Sequence, residues 1–159
     1  MFSKKENQPI KIWHKIFLIA MLISAAALGA YSWYWPRALV KIGGRELKVL
    51  VAEGARHRYQ GLSNKKSFGN YDGMLFVFPE RAQHTMVMRQ MNFPIDIIWI
   101  DGEKIIDIAP NAPPEAGRAE QELRPYFARA VSTLVLELPA GFAKEKNLRV
   151  GDVIQVEQK

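Results

Sequence analysis

The sequence predicts a mostly β protein: a single compact β-sandwich or partly closed barrel built from hairpins, with one or two short helices, preceded by an N-terminal transmembrane helix. Three observations support this fold class. A run of twenty residues without a charge lies near the N-terminus. Short apolar or alternating runs, bounded by turn-forming residues, fill most of the remainder. A chain of 159 residues, 48% of them hydrophobic, has room for one ordered domain and a tail.

The uncharged run, residues 16–35, is long enough to cross a bilayer. At ~1.5 Å per residue, a helix of this length spans roughly 30 Å, the thickness of the hydrocarbon core. Its end resembles an interfacial aromatic belt, formed by Tyr31, Trp33, Tyr34 and Trp35, and Pro36 ends the helix. A secreted product, cleaved near Ala27 after a run of small residues, fits the same pattern. The aromatic belt favours a retained signal anchor in the cytoplasmic membrane.

Counting positive charges gives no orientation for this helix. Four lysines precede it, at Lys4, Lys5, Lys11 and Lys15, and four basic residues follow it, at Arg37, Lys41, Arg45 and Lys48. The order of a basic tail, residues 1–15, followed at once by an apolar core is signal-like and places the N-terminus in the cytoplasm. We therefore expect residues 38–157 to form an extracytoplasmic β domain.

Composition excludes several classes of function. The chain has no cysteine, which rules out disulfides, thiolate metal sites and a cysteine nucleophile. Residues 1–36 contain four Lys and one Glu, a charge of +3. The other 18 basic and 15 acidic residues leave +3 for residues 37–159. That mild excess predicts no nucleic-acid partner. The sequence also lacks the phosphate-binding and dinucleotide-binding motifs, and we expect no cofactor.

The exported part contains eight predicted strands. Two flank Gly43-Gly44, whose freedom to adopt positive φ suits a two-residue hairpin turn. Two more, at residues 73–78 and 83–88, flank residues 79–82 as a second hairpin, and a third hairpin lies in residues 93–108 with its turn at Asp101-Gly102. Residues 132–138 and 153–157 complete the set. Short helices are predicted at residues 54–62 and within residues 139–147.

Residues 110–129 form a long segment in which no strand is predicted. The segment, PNAPPEAGRAEQELRPYFAR, contains four prolines and no strand period. Long irregular connections in compact domains are often functional loops, although a surface crossover that only links two strands has the same composition. Asn111 and Tyr126 in this segment, together with Arg89 and Asp96, are the predicted ligand-binding residues.

Two aspartates of the isoleucine-rich hairpin FPIDIIWIDGEKIIDI, Asp96 and Asp107, each lie between two isoleucines. A two-residue turn at Asp101-Gly102 pairs Asp96 with Asp107 across the strands, at a Cβ separation of ~4.5–5.5 Å that destabilises like charges. Screening by water on an exposed face is the favoured relief, because the other face carries more apolar residues. An arginine such as Arg89 between them, or a proton held by one of them, would also relieve the repulsion.

The same pair suggests a catalytic alternative. Two carboxylates about 5 Å apart resemble the nucleophile and acid/base pair of retaining glycosidases, so an envelope hydrolase using Asp96, with Asp107 as its partner, is a rival hypothesis. A structural role for both aspartates is the simpler interpretation.

HTMVM, residues 84–88, suggests a metal alternative. Strand alternation would place His84, Met86 and Met88 on one face, and imidazole and thioether ligands suit copper(I). Methionines packed in the core under a sheet explain the pattern more simply, so no metal site is predicted.

Five segments, taken in order, resemble a known family. They are RHRYQGLSNKKSF, DGMLFVF, VMRQMNFPIDIIWID, IIDIAPNAPP and STLVLELPAGFAKEKNLRVGDVI, and they resemble the bacterial and archaeal family catalogued as domain of unknown function 192. The resemblance covers roughly residues 38–157. It implies a compact, mostly β domain, often behind a signal sequence or membrane anchor, and it implies no assigned reaction.

The family pattern falls on particular residues of this chain: Gly61 and Leu62, Gly73 to Phe76, Met88 and Arg89, Pro94 to Asp96, Leu136 and Glu137, and Gly151 and Asp152. Many members carry Trp where this chain has Val87, which implies an altered ligand surface or a smaller core residue. Asp96 belongs to the pattern and Asp107 does not. The function we expect is a binding or accessory module for an envelope glycan, peptide or protein partner, rather than an enzyme.

Overall fold

A computed structural model describes residues 12–158 of the chain. Residues 1–11, which include most of the predicted basic cytoplasmic tail, lie outside the described residues. The chain divides into two compact units between Tyr34 and Trp35. The first contains one long helix, and the second contains all the strands.

Helix α1 runs from Ile12 to Trp33. Residues 12–31 of it are long and apolar enough to span a membrane. Its large apolar side chains are exposed, including Phe17, Leu22 and Leu28. The prediction of one N-terminal helix of membrane-spanning length is confirmed, whereas its location in a membrane stays a prediction.

The second unit is a mostly β domain around one seven-stranded, curled half-barrel sheet. Its strands are β1 (Arg37–Ile42), β2 (Arg45–Ala52), β3 (Gly73–Ala82), β5 (Ile95–Asp101), β6 (Lys104–Ala112), β8 (Ser132–Pro139) and β9 (Gln155–Gln158), arranged in the order β6-β5-β8-β3-β2-β1-β9. A separate antiparallel pair joins β4 (Thr85–Met86) to β7 (Tyr126–Phe127). The predicted β class and partly closed barrel are confirmed.

Backbone hydrogen bonds near the two edges of the sheet bring the sheet towards closure. Ile105 N–H donates to the carbonyl of Asp152 at 2.9 Å, and Ile154 N–H donates to the carbonyl of Glu103 at 2.8 Å. The inner core formed by this curling contains apolar residues from strands across the sheet, among them Val40, Val49, Leu75, Ile98, Leu136 and Ile154. The opposite face carries an outer core that includes Met74, Phe76, Met88, Ile97, Trp99 and Val135. The central strands are therefore buried on both faces.

Several local predictions are confirmed. Gly43 and Gly44, with φ of 56° and 72°, join β1 to β2, which pair from Ile42 opposite Arg45. The two short helices are α2 (Ala55–Gln60), which ends at Gly61, and α3 (Phe142–Glu145).

The predicted hairpin of residues 73–78 with 83–88 is wrong. Strand β3 continues through Pro79 to Ala82, lies parallel to β2 and antiparallel to β8, and never pairs with residues 83–88. Only two residues of that second run form a strand, β4. An apolar run shows that a strand is buried, but it does not identify the neighbour with which the strand pairs.

The third hairpin exists, but its predicted register is wrong. Asp101 pairs with Lys104, so the turn residues are Gly102 and Glu103, and irregularities follow at two further points along the pair. Gly102 has φ of 59°, and glycine at the first central position is what a type II′ turn requires. The turn is displaced by one residue, and the pairing beyond it is irregular. Together these two differences place Asp107 opposite Trp99 rather than opposite Asp96.

Residues 110–129 cross the domain as a largely irregular segment. It includes the end of β6, a 3-10 turn at Glu120–Glu122 and strand β7. The predicted irregular connection is therefore present, with short regular stretches inside it.

Candidate functional site

Asp96 is completely buried on the inner face of β5, beside Ile98. Its carboxylate accepts three backbone N–H groups, from Asn111 at 2.8 Å, Gly141 at 3.1 Å and Ala143 at 2.8 Å. The expectation of a partly exposed carboxylate is therefore wrong. A buried carboxylate is stable when several N–H donors replace its lost hydration, and this environment favours a structural role for Asp96.

Asp107 lies on the opposite face of the sheet, because it is paired with Trp99 of the outer core. The Arg129 side chain donates to its Oδ1 at 2.6 and 2.9 Å, and the Arg129 backbone N–H donates to its Oδ2 at 2.8 Å. Burial acts to raise the pKa of Asp107, but the hydrogen bonds from Arg129 and from the Ile108 N–H outweigh it, so this pKa is lowered.

The predicted pair of facing carboxylates is consequently wrong. Asp96 and Asp107 project from opposite faces of the sheet, and each has its own hydrogen-bond donors. A glycosidase mechanism that uses both residues has no geometric basis in this fold. An arginine does neutralise one of them, but it is Arg129 and not Arg89.

His84, Met86 and Met88 lie in different environments. The His84 ring stacks on Phe78, with centroids 3.6 Å apart, and its Nε2 is 2.9 Å from the carbonyl oxygen of Glu80. Both methionines are buried in the outer core. Within residues 12–158, no group of three or more His, Asp or Glu side chains is arranged to hold a metal ion. The burial of both methionines agrees with their interpretation as core residues, and copper(I) binding, the alternative hypothesis, is not tested by the structure.

A groove of about 470 Å³, which we call the arginine groove, lies beside α2. The irregular segment contributes to its wall, and its polar lining includes Arg56, Gln60, Asn64, Arg89, Arg118 and Glu120. The ring of Tyr59, 64% exposed, completes the surface. The three arginines of the lining outnumber the two glutamates that pair with them, Glu120 with Arg89 and Glu115 with Arg118, so the groove has a net positive charge.

Arg89 organises this groove. Its guanidinium donates to the carbonyl of Tyr59 at 2.9 Å, forms an ion pair with Glu120, and lies 4.2 Å from the centroid of the Tyr59 ring. Ser63 Oγ donates to the backbone carbonyl of Arg89 at 2.9 Å. The Arg89 side chain thus joins α2 to the irregular segment, and the Arg89 backbone carbonyl holds the loop after α2. The prediction that Arg89 lies at a binding surface is consistent with this position.

A second, smaller cavity of about 260 Å³ adjoins the arginine groove and shares Tyr59 and Arg89 with it. We call it the Glu137 cleft. Its apolar walls include Leu62, Phe76, Phe78, Met86, Val87 and Met91, and the carboxyl of Glu137 is its buried polar group. Glu137 lies on β8 between Met74 of β3 and Ile97 of β5.

Glu137 is the ionisable group most altered by its surroundings in the part of the chain that the structure describes. Burial raises its pKa from 4.5 to about 8. Its Oε2 has no hydrogen-bond partner among the described residues. A carboxyl with this pKa is mainly protonated at pH 7, and such perturbed groups concentrate at functional sites.

The structure does not bring the four predicted ligand-binding residues together. Arg89 lines the arginine groove, whereas Asp96 and Asn111 adjoin each other at the start of α3. Tyr126 is buried in the outer core, with the Arg124 guanidinium 5.1 Å from its ring. The roles of these residues in binding stay predictions.

Glu137 was missed as a site residue by sequence reasoning. The signal that identified Asp96, a carboxylate inside an apolar run, is equally present in LVLEL, residues 134–138.

Fold and cavities together define a class of protein: a small, mostly β half-barrel domain that follows a helix of membrane-spanning length and carries a cationic groove. The model of the family DUF192, described as uncharacterized ACR, matches residues 38–156. The chain therefore belongs to the domain of unknown function 192 family, as its motifs had indicated.

Two solved structures are similar to this chain. A Sinorhizobium meliloti protein, described as a proposed transcription regulator, is 28% identical with a TM-score of 0.65, over 77% of this chain and 94% of that one. A protein of unknown function from Novosphingobium aromaticivorans is 23% identical with a TM-score of 0.63, over 76% of this chain and 84% of that one. The second shows the fold alone. No curated protein matches the chain.

The Asp96→Asn substitution is expected to destabilise the domain by about 2–4 kcal/mol, because an amide replaces the charged acceptor of three buried N–H groups. Chemical denaturation at pH 7 measures the change. Asp101→Asn is the control, because that aspartate pairs with Arg81 at the surface and its loss should change stability by less than about 1 kcal/mol. Equal effects of the two substitutions would contradict the structural role of Asp96.

Asp107 should make the domain sensitive to acid. Its pKa is lowered in the folded state, so its contribution to stability is complete above the unfolded value, near 3.8, and is lost as the pH falls through the folded value. Asp107→Asn is expected to weaken the dependence of the free energy of unfolding on pH below about 4. Urea denaturation between pH 2 and 5 measures it, and an unchanged slope in the variant would refute the assignment.

Proposed function

We propose that this chain is a single-pass membrane protein whose extracytoplasmic β domain binds an acidic envelope ligand, a glycan or a peptide, in the arginine groove. Helix α1 would be the anchor, with the N-terminus in the cytoplasm. The observation that carries the binding role is the groove itself, which combines a net positive lining with an exposed aromatic ring.

The size and composition of the groove support a ligand site. Its volume of about 470 Å³ lies within the usual range of small-ligand pockets, roughly 300–1,000 Å³. Tyrosine and arginine are enriched at binding surfaces because they offer large contact areas with polar ends. The amide side chains of Gln60, Asn64 and Gln90 add hydrogen-bonding groups of both kinds to the same lining.

A membrane anchor explains the length and exposure of α1. Exposed apolar residues such as Ile19, Leu22 and Ile23 are unfavourable in water and favourable in a bilayer. A signal sequence near an N-terminus has the same features, so secretion after cleavage near Ala27 is the competing outcome.

The anchor is tested by expressing the full chain in a bacterium and measuring its fractionation and intact mass. We expect the uncut chain in the membrane fraction, resistant to a carbonate wash. Leu22→Arg with Ile23→Arg should shift it towards the soluble fraction or prevent export, because each arginine near a helix centre costs about 2.5–3.5 kcal/mol. Leu22→Ile with Ile23→Leu is the control. A soluble product that lacks about the first 27 residues would instead establish cleavage.

Binding is tested with the full chain in nanodiscs, titrated with soluble bacterial muropeptides, which combine sugar and peptide groups with carboxylates. Arg118→Gln is expected to weaken binding about five- to tenfold, corresponding to about 1–1.4 kcal/mol, because one favourable charge is removed. Arg81→Gln is the matched control. Its side chain is 61% exposed and ion-paired, much like Arg118 at 57%, but it does not line the groove.

Two results would contradict the proposal. One is muropeptide binding that Arg118→Gln and Tyr59→Ala leave unchanged. The other is the absence of muropeptide binding together with tight binding to duplex DNA, included as a second ligand because of the description given to the Sinorhizobium protein.

A further inference from the structure

The Glu137 cleft contains a polar group that the fold does not use. The Glu137 side chain comes from β8, which is paired on both sides, and is only 5% exposed, yet its Oε2 has no hydrogen-bond partner within residues 12–158. Glu137 is also one of the residues that line the cleft, so a group that enters the cleft lies beside this side chain. A buried, unpaired carboxyl at a cavity wall is a recognition element for a ligand of complementary chemistry.

The charged groups around the cleft do not neutralise Glu137. The Arg58 guanidinium is hydrogen-bonded to the carbonyls of Glu53 and Val77, and that of Arg89 to Tyr59 and Glu120. The flanking strands place apolar Met74 and Ile97 beside it. Tyr59 is the other titratable residue in the cleft lining. Burial is the cause of the raised pKa of Glu137, which agrees with the lack of an effective cation nearby.

We propose that the Glu137 cleft is a subsite for an alkylammonium group, such as the side chain of a lysine or another diamino acid, with the Glu137 carboxylate as its counter-ion. The inference rests on the proposed function in treating the cleft and the adjoining arginine groove as one binding surface. It narrows the ligand class to molecules that carry an ammonium group on an apolar stem as well as acidic groups.

The shape and walls of the cleft fit such a group. Its volume of about 260 Å³ is below the range of roughly 300–1,000 Å³ for drug-sized ligands and suits a single side chain. Methionine, leucine and phenylalanine walls favour an apolar stem.

An ammonium group is favoured over a neutral hydroxyl because it supplies the missing charge. A buried carboxylate without a partner is strongly unfavourable, whereas a carboxylate paired with an ammonium inside an apolar cavity is stabilised by a short, weakly screened contact. On binding, the neutral Glu137 carboxyl releases its proton to water, and the ammonium group keeps its own. Well below pH 8, close to one proton is therefore released for each ligand bound, and this number falls as the pH approaches 8.

This proton release predicts the direction of the pH dependence. Because Glu137 has a pKa of about 8 in the free protein, ammonium binding should strengthen with rising pH, approaching tenfold per unit between pH 6 and 7.5. A neutral ligand that only accepts a hydrogen bond from the protonated carboxyl would show the opposite trend. The sign of the slope thus separates the two chemistries.

The test uses the full chain in nanodiscs, with ¹³C-labelled methionine methyl groups observed by NMR. Met86 and Met91 line the cleft, and Met21 in α1 is an internal control. Nα-acetyl-lysine N-methylamide is titrated first. The corresponding amides of norleucine and 6-hydroxynorleucine share its stem but replace the ammonium with a methyl or a hydroxyl group. We expect the lysine amide to shift the Met86 and Met91 signals at lower concentrations than the other two.

Substitutions in the cleft, with one control outside it, test whether the binding of the lysine amide depends on Glu137. Glu137→Gln keeps the shape and should reduce affinity for the lysine amide at least tenfold at pH 7.5, while Glu46→Gln, an exposed glutamate on β2, should leave it unchanged. Folding of Glu137→Gln is expected, because a neutral group replaces a carboxyl that is mainly neutral at pH 7. Val87→Trp should fill the cleft and abolish the shifts.

Three results would overturn the inference. One is that the lysine amide causes no shift of the methionine signals up to pH 9, and another is that Glu137→Gln binds it as tightly as the unmodified chain does. The third result is a hydroxyl amide that binds more tightly than the lysine amide, with an affinity that falls as the pH rises. The pH series on the unmodified chain separates ammonium binding from hydroxyl binding without any variant. A simple lysine amide has no acidic group, so its binding is also independent of the arginine groove. Failure of muropeptide binding with success here would reject only the acidic-ligand proposal.

Discussion

The buried Asp96 carboxylate holds one end of the half-barrel together. It projects from β5, and its three donors come from the end of β6 and from the start of α3, segments far apart in sequence. Each of these N–H groups would otherwise need another partner, since the ends of strands and helices leave backbone donors unpaired. One carboxylate therefore fixes β5, the end of β6 and the β8–α3 connection relative to one another.

Glu137 is also a buried acid, but its hydrogen bonding differs from that of Asp96. Both acids come from central strands and both are buried, and the two strands are neighbours in the sheet. The Asp96 oxygens receive three backbone N–H groups, whereas Glu137 Oε2 receives none from residues 12–158. The two acids lie one register step apart, since Asp96 is opposite Leu138 and Glu137 is opposite Ile97, but they project from opposite faces of the sheet. Asp96 faces the inner side, where the end of β6 and the start of α3 present unpaired N–H groups, whereas Glu137 projects to the outer face among apolar side chains. A side chain in that second position needs a partner that the sheet cannot supply.

The local parts of this fold could be predicted from the sequence, and the long-range parts could not. The hairpin at Gly43-Gly44, helix α1 and the end of α2 at Gly61 were all predicted correctly. Each of these features is determined by residues that are close in sequence. The parallel pairing of β2 with β3 and the extension of β3 to Ala82 depend on which strand lies alongside, which alternation does not encode. The Asp96–Asp107 pairing failed because the turn lay one residue further on and the strand pairing was irregular. Of the residues that line the arginine groove and the Glu137 cleft, only Arg89 was predicted as a ligand-binding residue, because these linings join segments that are distant in sequence.

Stability alone gives no reason for a carboxyl at position 137. Its pKa of about 8 in the folded chain, against 4.5 for an ordinary glutamate, means that the unfolded chain loses this proton more readily than the folded chain. The stability linked to this group is complete below pH 4.5 and declines as the pH rises towards 8, so the carboxyl destabilises the domain throughout the neutral range. Leucine, present on both sides at 136 and 138, would have no such effect. In an otherwise consistent fold, residues that lower the stability of the folded state are concentrated at functional sites. Ligand binding at such a site can offset the free energy that the residue costs. The cavity beside Glu137 gives this acid access to such a ligand, and that access distinguishes it from an ordinary packing defect.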